Sequence, residues 1–376
     1  MPPEGWVSTT LGEVARLTIG RTPPRAEPKY WTNSLTYPFC SIADMKERVI
    51  RPAREGITDL AEREGKAKRV PAGALLMSFK LTIGRVGLAG TDLFPNEAIC
   101  WIDPIGKDVD VRYLALWLGH ADLQPSGRAV KGNTLNSPAL RAIPHTLPPL
   151  AEQRRIVDLL DAVDAAIDAA RQQQEAVAEA REALLAEVMR PREGWPLVSV
   201  EDAFRKLPTG PLWDKKRSVP SGAVPILDQS QRGVIGYHHG AAGVTASPDD
   251  PVVTFANHTC EMRILDTSFS VIQNVFPLRG IGGKTDTRFL HYWLRGRVQI
   301  EGYKGHFPAL RRMLLPLPPL MQQHRIVSLL SDVDLAFEAT EQQGNALTGL
   351  RNHVLTDLLH GDHRIPESYD RLLEVV

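Results

Sequence analysis

"LPPLAEQRRIVDLLDAVD" fills residues 147–164, and "LPPLMQQHRIVSLLSDVD" fills residues 317–334. Twelve of the eighteen positions are identical, where unrelated segments of ordinary composition share about one. Upstream the match continues, with "PALR" at 138–141 returning as "PALR" at 308–311. A phrase repeated 170 positions apart marks an internal duplication, and the rest of the chain is organised around it.

Beyond the shared phrase each copy turns helical. Steps of four and three from Ile156 land on Leu160, Val163, Ile167, Ala170, Gln174, Val177, Arg181, Leu184 and Val188. The same steps from Ile326 land on Leu330, Val333, Phe337, Thr340, Gly344, Leu347, Arg351, Val354 and Leu358. The interruptions coincide as well, Gln174 with Gly344 and Arg181 with Arg351. Alternating spacing over this length is the seam of a coiled coil. Two prolines precede each helix, where a missing donor costs nothing, Pro191 stops the first and Gly361 terminates the second.

Amphipathic helices packed separately on their own domains are the alternative, but a narrow seam needs a partner of equal length, and the other copy supplies one. Some 40 residues at about 1.5 Å each make a rod of about 60 Å. The first helix delivers the chain through "PREGWP" into a second block, and the second helix leaves that block. A compact pair is therefore antiparallel, with the blocks at opposite ends of a spacer and related by an approximate twofold. The division is residues 1–146, a spacer helix at 147–192, a second block at 193–316, and a second spacer helix with a tail at 317–376.

The two blocks share a frame. "VRYLALWL" at 111–118 aligns with "TRFLHYWL" at 287–294, each a short helix after a strand, "AICWIDP" in one and "SVIQNVFPL" in the other. Each block opens with Gly-Trp and a Val/Thr/Ser/Leu-rich strand, and each has a Lys-Gly ahead of "PALR". The middles do not match. Short strands with Gly/Pro turns and one or two helices predict an α/β domain in each block, with unlike loops on a common scaffold. Binding specificity usually resides in such loops.

Composition bounds the function. A chain of 376 residues with 43% hydrophobic and 23% charged residues is an ordinary soluble globular protein of two or three domains. No apolar run approaches the roughly 20 residues of a membrane helix, and the start lacks the basic and apolar regions of a secretory signal. Three scattered cysteines without a CxxC pair point to a reducing compartment, the cytoplasm by default. Net charge is zero, yet residues 1–146 and 193–316 are each +4, while 147–192 is −3 and 317–376 is −5. Solvated faces of either sign account for such blocks as readily as a polyanionic partner does.

A catalytic constellation is not found. "RGIGGKTDT" at 279–287 ends like a phosphate loop, but Leu278 stands where a Walker motif needs glycine, so a glycine-rich strand-to-helix turn accounts for it better. His258-Thr259-Cys260 and His360 with His363 find no second pair at metal spacing. There is no Asn-Pro-Pro-aromatic tetrapeptide of amino-group methyltransferases and no dinucleotide turn. No metal and no cofactor are expected.

The duplicated "LPPLxxQxRIVxLLxxVD", each copy followed by a long helix and flanked by unlike blocks, resembles the specificity subunit of type I restriction–modification enzymes. The resemblance covers essentially the whole chain. It implies two target recognition domains, each reading one half of a split sequence in double-stranded DNA, and helical spacers that set the distance between half-sites. It also implies docking of two methyltransferase (modification) subunits, restriction and translocase subunits as further partners, no membrane, and no chemistry of the subunit's own. The tail "HRIPESYDRLLEVV" finds no role in that scheme.

Independently, each basic block suits phosphate contacts that position it and loop side chains that reach base edges. The candidates are Arg21, Arg25, Lys29, Lys80, Arg85, Arg128 and Lys131 in the first block. In the second they are Lys215, Lys216, Arg217, Arg263, Lys284, Lys304 and His306, with "LWDKKRS" at 212–218 the strongest segment. Half-sites on one DNA face recur about every 34 Å, within reach of such a rod. Unlike loops predict an asymmetric site. A coiled-coil adaptor with protein-binding end domains is the rival reading.

Overall fold

The computed structural model describes residues 3–123, 127–129, 132–295, 297–298 and 306–370. The chain divides into two units, Met1–Ala169 with Gly344–Val376 and Ala170–Gln343. Two long helices, Leu150–Val188 and Leu320–His360, each give one stretch to each unit. The first ends three residues before Pro191, and the second ends at Gly361, whose φ of +75° suits a residue without Cβ. None of the twenty seam positions is exposed.

Unit 1 is built on a five-stranded sheet in the order Ala15–Ile19, Ile99–Pro104, Leu75–Ser78, Val86–Ala89, Val49–Ile50, antiparallel but for the last pair. The central strand Leu75–Ser78 is buried throughout, which fits the apolar run Leu75–Met77 that it carries. The short helix Val111–His120 follows the Ile99–Pro104 strand, and Asp110 caps it by accepting from the Arg112 and Tyr113 amides at 2.8 and 3.3 Å. A two-stranded ribbon, Val7–Thr10 with Pro144–Leu147, leads into the long helix.

Unit 2 repeats this frame. Its sheet runs Phe204–Lys206, Val275–Gly280, Val252–Ala256, Met262–Leu265, all antiparallel. Helix Thr287–Leu294 follows the Val275–Gly280 strand, capped by Asp286 on the Arg288 and Phe289 amides at 2.8 and 2.9 Å. The ribbon here is Leu197–Ser199 with Leu314–Pro316. The expected strand "SVIQNVFPL" is two strands. Asn274, at φ +66°, turns the chain between Ser270–Val271 and Val275–Gly280, a left-handed conformation that asparagine tolerates better than most residues.

The helix stretches run antiparallel within each unit. In unit 1, Ile156, Val157 and Leu160 pack with Leu355, Leu358 and Leu359 and with Tyr113 of the short helix. In unit 2, Leu184, Leu185 and Val188 pack with Ile326, Val327 and Leu330 and with Trp293. Each fully buried aliphatic contributes about 1.5–3 kcal/mol of transfer free energy. The seam arginines are bonded rather than idle. Arg351 grips Asp164 in unit 1, and Arg181 Nε lies 2.5 Å from Asp334 Oδ1 in unit 2.

One glutamine of the repeated phrase joins helix to sheet domain in each unit. Gln153, fully buried, donates to the carbonyls of Pro148 (2.8 Å) and Asp108 (2.9 Å) and accepts from the Asp110 amide (2.8 Å). Gln323, equally buried, donates to Pro318 (2.8 Å) and Lys284 (2.9 Å) and accepts from the Asp286 amide (2.8 Å). The Gly-Trp openings dock beside them, with Trp6 Nε1 donating to Glu152 at 3.0 Å and Trp195 Nε1 to Gln322 at 3.1 Å. The unassigned tail also has a place. Ile365 joins the apolar cluster of unit 1, and Asp370 accepts from Arg155 Nε and NH2 at 2.7 and 2.9 Å, tying the tail to the first turns of the first long helix.

Candidate nucleic-acid interface

The cations proposed from sequence fall into distinct environments. In unit 1, Lys80 and Arg85 lie on the hairpin joining Leu75–Ser78 to Val86–Ala89. Between them Leu81 is 53% exposed at φ +65°, a conformation uncommon for a residue with a branched side chain. The turn is held from inside, where Ser78 Oγ accepts from the Arg85 amide at 3.0 Å and donates to the Thr82 carbonyl at 2.5 Å. The matching hairpin of unit 2 also turns on a left-handed non-glycine, Cys260 at φ +57°.

Arg25 and Lys29 are already partnered. Arg25 makes two bonds to Glu55, at 2.6 and 2.8 Å, and its guanidinium sits 3.6 Å over the Trp31 ring. The Glu55 hydrogen bond raises its pKa further. Lys29 lies 3.3 Å from Glu27 and 3.6 Å from Glu64, and its hydrogen bond to Tyr30, then that to Glu27, raises its pKa. A cation already neutralised by a carboxylate releases fewer counterions when it meets a phosphate. Arg21 is exposed and gives one N–H to the Gly65 carbonyl at 2.8 Å.

In unit 2 the segment "LWDKKRS" carries a one-turn helix, Lys215–Arg217, on which Lys215 and Lys216 are exposed. Arg217 turns back, its NH2 on the Leu212 carbonyl and its Nε 3.4 Å from Asp214. Trp213 stacks on His238, ring centroids 4.0 Å apart and planes 15° apart. His238 is held in one tautomer. The Gly240 amide donates to its Nδ1 at 3.1 Å, so Nε2 carries the proton toward Ser270 Oγ at 2.9 Å. Arg263 bonds the Ser230 carbonyl.

Lys284 donates to the Asp202 carbonyl at 2.9 Å, and Thr287 Oγ1 accepts from the Gly280 amide at 3.1 Å. The glycine-rich stretch is thus a closed strand-to-helix turn whose lysine points at its own domain. His306 requires a correction. It is 3% exposed with Nδ1 2.6 Å from the Asn257 carbonyl, so it serves the interior and not a ligand surface. Lys131, Lys304 and the side chain of Arg128 lie outside the described residues.

Two exposed cations were missed by sequence reasoning, Lys68 and Arg141, which line a cavity with Arg21. Arg141 stood in plain view inside "PALR", where only the repetition drew attention. Burial pushes the Cys40 and Cys100 thiols up to about 12, far from the thiolate a nucleophile needs. Among the described residues no helix is long and apolar enough to cross a membrane.

The family model described as type I restriction modification DNA specificity domain matches residues 3–179. The specificity subunit of the type I restriction enzyme EcoR124I/EcoR124II from Escherichia coli is 24% identical over 163 residues. That match covers 41% of this chain and 40% of the Escherichia coli protein. Among solved structures, the S subunit of a type I restriction–modification system from M. genitalium superposes with a TM-score of 0.58 at 12% identity, covering 94% of this chain and 96% of that one. The HsdS subunit from Thermoanaerobacter tengcongensis gives 0.53 at 18% identity, covering 96% and 98%. These likenesses establish the fold, two mixed α/β domains with two long helices packed together.

Proposed function

Because residues 3–179 match the type I restriction modification DNA specificity domain and the fold is that of type I specificity subunits, we propose that the chain is the sequence-reading, non-catalytic component of such a cytoplasmic complex. Residues 1–146 and 193–316 are its target recognition domains, each reading one half of a split, asymmetric site in double-stranded DNA. Residues 147–192 and 317–376 form the spacer that fixes the interval between half-sites. The same helices dock two methyltransferase subunits, and restriction and translocase subunits complete the assembly. Methyl transfer and strand cleavage belong to those partners.

One observation carries this reading: the mounting is duplicated bond for bond while the surfaces it presents are not. Gln153 and Gln323 make the same three hydrogen bonds, and Asp110 and Asp286 the same cap. The Arg25–Trp31–Glu55 cluster of unit 1 and the Trp213–His238 stack of unit 2 belong to one unit each. Equal mounts bearing unlike readers suit a target whose two halves differ.

Exchange of residues 193–316 for the corresponding block of another specificity subunit is the test, read out by mapping modified bases. One half-site changes and the other stays. Change in both halves would refute the division. Insertion of a heptad at Gln174 should lengthen the tolerated spacer, and an unchanged spacer would deny the helices that role.

A further inference from the structure

The two units part company at one place that the duplication puts in register. Cys100 and Phe276 each stand ten residues before a helix-capping aspartate, and Ser137 and Phe307 each stand directly before "PALR". Leu17, paired with Ile102, matches Lys206, paired with Leu278. In unit 2 these positions close on one another. The Phe276 and Phe307 rings are 4.2 Å apart, and Lys206 Nζ lies 4.6 Å from the Phe276 ring. In unit 1 two phenyl rings give way to a thiol and a hydroxymethyl, and a cavity of about 380 Å³ remains.

That cavity has a definite chemistry. Leu17, Cys100 and Leu140 supply an apolar floor, while Arg21, Lys68 and Arg141 supply three cations, and among the described residues its lining includes no carboxylate. Lys68 and Arg141 make no hydrogen bond or ion pair among the described residues, and Arg21 spends one N–H on a carbonyl. The counterpart of Arg141 in unit 2, Arg311, is instead tied to Glu201. Unit 2 has thus both filled the space and neutralised the arginine.

We propose that this cavity is a phosphodiester seat, present in unit 1 and closed in unit 2. The cations hold a backbone phosphate of the bound duplex, and the floor receives the adjoining deoxyribose. A rigid fork such as Arg141, free of an internal carboxylate, is suited to a phosphate, and the contact positions the domain without reading a base. The assignment rests on the DNA-reading function proposed above and makes the two halves unequal in their grip on the backbone.

The full-length chain, wild type and variants, is titrated with a random-sequence duplex across a salt series. Lys68→Ala with Arg141→Ala, both on exposed side chains, removes the grip on that one phosphate and lowers the slope of log affinity against log salt by about 1. Ser137→Phe, which installs the unit 2 residue without changing charge, weakens binding several-fold. Should the wild type bind while both variants keep its affinity and slope, the seat is refuted and the DNA reading stands. Absence of salt-dependent duplex binding by the wild type overturns both. A parallel titration uses inorganic phosphate and a deoxynucleoside monophosphate. Saturable binding of either that Arg141→Ala abolishes, with duplex binding unaltered, reassigns the cavity to a free anion.

Discussion

Arg351 grips the carboxylate of Asp164 through Nε and NH2, the latter at 3.1 Å, from the far end of the second long helix to the near end of the first. The residues 170 positions removed from each, Arg181 and Asp334, make the reciprocal bond in unit 2. The guanidinium of Arg351 is raised in pKa by the Asp164 hydrogen bond. Burial works against Arg181, yet Asp334 leaves it raised as well.

Removing one partner should therefore cost more than a surface pair would. Asp164→Ala leaves a half-buried guanidinium facing an apolar seam and should destabilise by about 1–3 kcal/mol. Urea unfolding measures it as a lower midpoint with the same m-value. A cycle with Arg351→Met should show a coupling of about 1 kcal/mol or more, and additive losses would mean the bond contributes nothing.

Gln153→Leu strands two carbonyls and one amide in a site the side chain fills completely. An unpartnered buried backbone group costs about 1–3 kcal/mol, so the expected loss is about 3 kcal/mol or more. Gln323→Leu should cost the same. A loss below about 1 kcal/mol in either would show that water replaces the glutamine.

His145 makes unit 1 acid-sensitive. It is 4% exposed, packs against the Tyr113 and Trp117 rings with neither ring nitrogen hydrogen-bonded among the described residues, and burial holds its pKa down to about 4. Below the unfolded value of about 6.5 the unfolded chain binds a proton that the folded one refuses. Stability is then full above about 6.5, falls with pH through that window, and levels off below about 4, a loss of about 3 kcal/mol at most. His145→Phe should flatten the stability profile there, measured by denaturant unfolding at stepped pH. An unchanged profile would assign the slope to other groups.

On the proposed interface, Lys215→Ala with Lys216→Ala should reduce the salt slope of duplex binding by about 2. Arg217→Ala should act mainly on local stability, since its guanidinium is spent on Leu212 and Asp214. Equal slopes for all three would place the segment off the DNA.

The helices and their termini were legible because periodicity and proline position are local signals, and Pro191 and Gly361 act where the sequence puts them. The roles of Arg181 and Arg351 were not. A polar residue in an apolar seam looks like a fault until antiparallel pairing brings an aspartate from the other helix, and nothing local names that aspartate. The cationic surface was half legible. Residue type shows charge, but only folding reveals that Glu55 and Glu64 have neutralised Arg25 and Lys29, that His306 is interior, and that Arg311 is tied to Glu201 while Arg141 has no such partner among the described residues. The tail was unassignable for the same reason, since Asp370 finds Arg155 across 215 residues of chain.

The glutamine joints have an evolutionary consequence. Each asks of its incoming domain a main-chain carbonyl and, two residues later, an amide, the second from the aspartate that also caps the following helix. A fitting specified by peptide groups tolerates almost any sequence around it. Natural recombinants of such genes should therefore carry their crossovers at the codons flanking these connectors and the "LPPL" phrases, and new target combinations should arise by shuffling whole inserts sooner than by point mutation.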